Sequence, residues 1–132
     1  MFNVNFTQSL SGELGRTYSV AETVSAGAAA SVEEVVLASA TTPMAMALDV
    51  SQAKLLALLS TVDVVVKIND AGTPTNIFTL EANTPFIWAL PQGALLDTAA
   101  AAVTVDFVTL HVVNAGATAG VLYADALYDP TV

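Results

Sequence analysis

Between Val62 and Ile68 every second residue is a branched aliphatic: Val62, Val64, Val66 and Ile68 share one parity, and Asp63, Val65 and Lys67 the other. A period of two belongs to a strand with one buried face, whereas a helix would need a period of 3.6. The chain opens on the same pattern, with Phe2, Val4 and Phe6 against Asn3, Asn5 and Thr7. Met44, Met46 and Leu48 alternate with Ala45, Ala47 and Asp49. Val108, Leu110 and Val112 share a face, while Val103, Val105 and Phe107 ahead of them have the opposite parity. That switch predicts a β-bulge near Phe107.

Further strands are predicted over 16–25, 31–38, 76–81, from Phe86 to Leu90, and over 121–128. Turn signals separate them at intervals of roughly ten residues. They include Ser11-Gly12, Gly15, Pro43, Asn69-Asp70-Ala71-Gly72, Pro85 and Pro91-Gln92-Gly93. The SAGAAAS run over 25–31 reads as a small-residue connection. One segment differs. Over 51–60, SQAKLLALLS sets Leu55, Leu58 and Leu59 at helical spacing behind Ser51 as an N-cap, which predicts a short helix plugging one end of a sheet pair. The expected fold is all-β: an antiparallel two-sheet β-sandwich, or jelly roll, of about eight to ten strands with that one helix. A chain of 132 residues suits a single domain over 1–132, with residues 1–10 as an extended arm.

Composition limits the function. Twelve acids face three bases, Arg16, Lys54 and Lys67, for a net charge of −9. Three bases neutralise few phosphates, which argues against nucleic acid as a partner, and anionic membranes would repel the chain. No basic leader or continuous apolar stretch opens the sequence, so no secretory signal is expected. The charge-free span 107–124 contains the turn-like run NAGATAG and reads as two strands, not a membrane crossing. With no cysteine there is no disulfide framework, zinc–thiolate site or cysteine nucleophile. Charged residues make up only 11% of the chain, against about 25% in ordinary soluble domains. A compact monomer of this mass exposes roughly 6,500 Å². So few charges over that area predict an unusually neutral surface or one covered by partners.

Candidate chemistry is sparse. His111 is the only histidine, and it reads as a half-exposed residue on a sheet, beside Thr109 and Val113. Leu95-Leu96-Asp97-Thr98-Ala99 resembles the Asp-Thr-Gly/Ala turn of retroviral-type aspartic proteases, whose dimers share a proton between two aspartates. No glycine-bearing partner strand follows, so a dimeric protease using Asp97 is a remote alternative. Asn69, Asp70, Thr73, Thr75 and Asn76 offer oxygens to a cation but lack the acid pattern of an EF-hand. No phosphate-binding loop or HExxH motif occurs. The expectation is therefore no enzyme, no cofactor and no metal. Trp88 and Phe86 share a face, as core filling or as an interface anchor. Phe2, Phe6, Trp88, Tyr123 and Tyr128 are the candidate interface residues.

From Met44 onward the order of segments resembles a known family. LDVS is followed by a Leu-rich stretch, then VDVVVKIND, then IFTLEANTPFIWALPQG, then VTLHVVNAG and a closing LYADALYDPT. This is similar to the small jelly-roll cement or decoration proteins on the capsids of tailed bacteriophages. The resemblance covers roughly two-thirds of the chain and rests on the segments Leu80 to Trp88 and Tyr128 to Thr131. It implies a virion structural protein on the capsid exterior, assembled in the host cytoplasm. Its partners would be the major capsid protein and further copies of itself, as a dimer or trimer. The runner-up is a tail or baseplate β-sandwich.

Overall fold

The computed structural model describes residues 1–10, 18–74, 76–89 and 105–130. Ten strands appear: β1 (Phe2–Leu10), β2 (Tyr18–Ala26), β3 (Ala28–Val36), β4 (Ala40–Leu48), β5 (Ala53–Ser60), β6 (Val64–Ile68), β7 (Ile77–Leu80), β8 (Phe86–Ala89), β9 (Phe107–Asn114) and β10 (Gly120–Tyr128). The last eight form two four-stranded antiparallel sheets, in the orders β3-β10-β5-β8 and β4-β9-β6-β7. Pairing is nested: β3 with β10, β4 with β9, β5 with β8 and β6 with β7. A long antiparallel ribbon rolled over on itself pairs in this way, which is the jelly roll expected from the sequence.

The core lies between the two sheets. Inward positions of the first sheet include Leu56, Leu58, Trp88, Leu122 and Ala124; the second contributes Met44, Val66, Ile68, Leu110 and Val112. Phe78 and Phe86, one from each sheet, stack at 4.7 Å between ring centroids. Two polar side chains are also buried, and both are satisfied locally. Asn114 donates to the Thr118 carbonyl at 2.8 Å and accepts from the Gly116 N–H at 3.0 Å. Ser60 donates to the Val62 carbonyl at 2.6 Å. These bonds hold the turns that follow β9 and β5, where bare polar groups would be costly.

The helix expected over 51–60 is absent: Ala53–Ser60 is strand β5. The reason is physical. Leu56 and Leu58 face the core, while Leu55 on the opposite face is buried against Leu127 and Ala26. A strand covered on both sides carries apolar residues on both parities, and its period-two signal disappears. An irregularity at Lys54, where Leu127 pairs with Leu55 but Tyr128 with Ala53, blurs the pattern further.

The expected bulge near Phe107 is present. The β4–β9 register slips between Ala45 opposite Thr109 and Leu48 opposite Phe107. Phe107 and Leu110 both point inward, so Val108 moves to the outside, 67% exposed, and does not share the face of Leu110 and Val112. Asn69, at φ 67°, backs this kink. Its side-chain oxygen accepts from the Val108 N–H at 2.8 Å, and its amide donates to the Asp106 carbonyl at 2.8 Å. The small-residue run is also not a connection. Ala26 ends β2, Gly27 is a bend, and Ala28 to Ala30 pair with Tyr128 to Ala126.

Candidate interaction surface

Strands β1 and β2 pair with each other and with neither sheet, from Phe2 opposite Ala26 to Leu10 opposite Tyr18. They form an arm. One of its faces is polar: Thr23 donates to Asn5 at 2.8 Å and Ser25 to Asn3 at 2.6 Å. The other face carries Phe2, Val4, Val24 and Ala26, with Phe6 opposite Glu22 next in register. Ala26 and Val24 pack on Leu55, Leu127 and Ile87, on the outer side of the first sheet. Phe2 and Val4 on the neighbouring strand overhang, 52% and 37% exposed.

The arm is tied down at its root. Asp129 accepts from the Gly27 N–H at 2.7 Å through one oxygen. Its other oxygen lies 3.8 Å from Lys54 Nζ. The hydrogen bond matters more than the ion pair, which is exposed on both sides and screened.

The candidate interface residues divide. Phe2 is on the overhanging face of the arm. Tyr123 sits on the outer side of the first sheet, between Glu33 and Leu59, 37% exposed. Tyr128 is half-buried against the core at the end of β10. Trp88 is 3% exposed inside the sandwich, where no partner reaches it without opening the fold. Among the described residues its indole N–H has no hydrogen-bond partner, and a buried donor left so costs about 1–3 kcal/mol. The side chain of Phe6 lies outside the described residues. Further exposed apolar positions not expected from the sequence include Val35, Leu37, Val108 and Ile77. Val108 was hidden by the bulge that turns it outward; Ile77 shares the outward parity of Thr79 at the head of a short edge strand.

Among the described residues, the strands of the second sheet carry no carboxylate on their outer face. It presents Thr41, Pro43 and Ala45 on β4, Val108, His111 and Val113 on β9, and Val65 and Lys67 on β6. The described acids lie on the loops, on β2 (Glu22), on the edge strand β3 (Glu33 and Glu34) and on β10 (Asp125). His111 is half-exposed between Pro43 and Lys67, neither of them a hydroxyl nucleophile or a carboxylate. Asp97 and its motif lie outside the described residues. Among the described residues no group of three or more acids and histidines gathers as a metal site, and no helix is long and apolar enough to cross a membrane.

The Asn69–Asn76 loop spends its leading oxygens internally. Asp70 accepts from the Gly72 N–H at 2.7 Å and the Thr73 N–H at 3.0 Å. These bonds, first to Thr73 and then to Gly72, hold its carboxyl below the ordinary value of 3.8, with a smaller pull from His111. The folded form therefore binds its proton less readily than the unfolded chain. Loop order from this group is complete above the ordinary value and lost as pH falls through the lowered one. An NMR titration should show the Gly72 and Thr73 amide shifts moving together with the Asp70 carboxyl, at a pH below that of a model aspartate.

The chain exposes 7446 Å², above the roughly 6,500 Å² of a compact monomer of its mass. Comparison with protein-family models, with curated proteins and with solved structures found no match.

Proposed function

We propose that this chain is a virion structural protein, a cement or decoration subunit that binds the outer surface of a bacteriophage capsid and bridges its major capsid subunits. The observation that carries the reading is the arm: a nine-residue strand pair bonded to neither sheet, with Phe2 and Val4 bare on its apolar face. A two-stranded ribbon is marginally stable in water by itself, so a second surface over that face would stabilise it. The carboxylate-free face of the second sheet suits broad contact, because few charges need be desolvated there. Function in this reading is burial of interface between shell subunits, with no bond made or broken. Further copies of the chain belong to the same reading.

Adding purified protein to undecorated shells tests it. Binding should saturate at a fixed number of copies per shell and raise the temperature at which the shell opens. Val108→Asp, on the bare outer face of the second sheet, should weaken that binding by about tenfold or more, equivalent to about 1.4 kcal/mol or more of interface. Saturable binding to purified tails and none to shells would replace the cement reading with the tail-component one.

A further inference from the structure

We propose that a second copy of this chain lays the apolar face of its arm on the outer strip of the first sheet, over Leu59 and Tyr123. The starting point is β5, whose sequence is apolar on both parities and so needs cover on both faces. Inward, the core covers Leu56 and Leu58. Outward, the chain's own arm covers Leu55 together with Leu127. Leu59 lies on the same outward face, two positions beyond Ala57, and remains half-exposed opposite Tyr123. Beyond them Val35, opposite Val121, is exposed on the edge strand. The apolar strip thus continues past its intramolecular cover.

The arm does the same. Its β2 side rests on the sandwich through Ala26 and Val24, and its β1 side overhangs with Phe2 and Val4. The two bare surfaces are continuations of the two sides of one existing contact. What fits Leu55 and Leu127 within the chain is a flat apolar ribbon, and the matching ribbon on a second copy has its overhanging half free. Two carboxylates lie on the strip: Asp125, opposite Ala57 and accepting from Ser31 Oγ at 2.5 Å, and Glu33, directly opposite Tyr123. Each copy carries a net charge of −9, so association should strengthen as salt screens the repulsion. An interface held by opposite charges would weaken instead.

This deepens the homo-oligomer part of the reading above and rests on it only there. It is measured on the purified chain without shells, so self-association and shell binding fail independently. The absence of cysteine makes cross-linking free of background. Chains bearing only Val4→Cys, mixed with chains bearing only Glu33→Cys, should form an interchain disulfide under mild oxidation. Val4→Cys mixed with Ile77→Cys, on the outer face of the other sheet, should not. Sedimentation of the wild type should show mass above the monomer, rising with concentration and with salt. Val4→Asp should weaken that association by about tenfold or more, with an unchanged circular dichroism spectrum. A wild type that stays monomeric at all concentrations and salt levels overturns the proposal. Equal cross-linking to Ile77→Cys also overturns it, since contact would then not be specific to the strip.

Discussion

Leu56→Ala should lower the unfolding free energy by about 2–5 kcal/mol, and Leu59→Ala by less than about 1 kcal/mol. The two leucines are three positions apart on β5 and have opposite fates. Leu56 is fully buried, opposite Trp88 on one side and Ala126 on the other. Truncation there leaves a cavity between closely packed sheets. Leu59 points outward beside Tyr123 and keeps much of its contact with water. A helix over the same segment would reverse the order, since Leu55, Leu58 and Leu59 would then share the buried face and Leu56 would lie at its margin. Urea denaturation at dilute, monomeric concentration gives both midpoints. A Leu59 effect equal to or larger than that of Leu56 would contradict the strand.

Gly120→Ala should cost about 1–3 kcal/mol, although it adds a single methyl group. Gly120 opens β10 opposite Val36. A Cβ at that position would meet Val62 Cγ2 at 2.6 Å and Thr61 Oγ1 at 2.7 Å. Neither neighbour yields readily. Val62 is β-branched and stiff about χ1. Thr61 Oγ1 accepts from the Val121 N–H at 2.9 Å, and the Thr61 N–H donates to the Val121 carbonyl at 3.0 Å. Making room therefore breaks the clasp between the β5–β6 turn and the start of β10. The check is a urea midpoint together with amide exchange at Thr61 and Val121. Both amides should lose protection first, ahead of the core strands; unchanged protection would mean the turn absorbs the methyl group freely.

The sequence exposes the sandwich where one face meets water. Strand β4 is legible from alternation because its outward residues, Thr41, Pro43, Ala45 and Ala47, are polar or small, and β6 because Asp63 and Lys67 flank its outward Val65. Asn69-Asp70-Ala71-Gly72 was legible as a turn because its side chains bond to nearby backbone, as Asp70 does. Strand β5 was illegible because a second layer, the arm, buries its outer side. Nothing local in AKLLALLS distinguishes that from a helical stripe; the cover comes from Val24 and Ala26, roughly thirty residues earlier. The division of Phe2 from Trp88 was likewise hidden. Both are aromatic residues on strand-like segments, and only the register of β8 against β5 sets Trp88 inside. The clear outer face of the second sheet depends on which strands become neighbours, and periodicity within a strand carries no information about that.

The nested ribbon has a kinetic consequence. Its innermost pair joins Val64 to Leu80, the next joins Leu55 to Ala89, then Ala40 to Asn114, and the outermost joins Ala28 to Tyr128. Each closure spans a longer stretch of chain than the one before, and closing entropy grows with that span. Pairing should therefore propagate outward from the β6–β7 hairpin, with the long-range pairing keeping the overall rate in the millisecond-to-second range of non-local β proteins. The strip along β10 and the seat of the arm come into being only with the last pairing. If copies associate through that strip as proposed, a nascent chain would acquire it only after the whole sandwich is built, and assembly would wait until each subunit is complete.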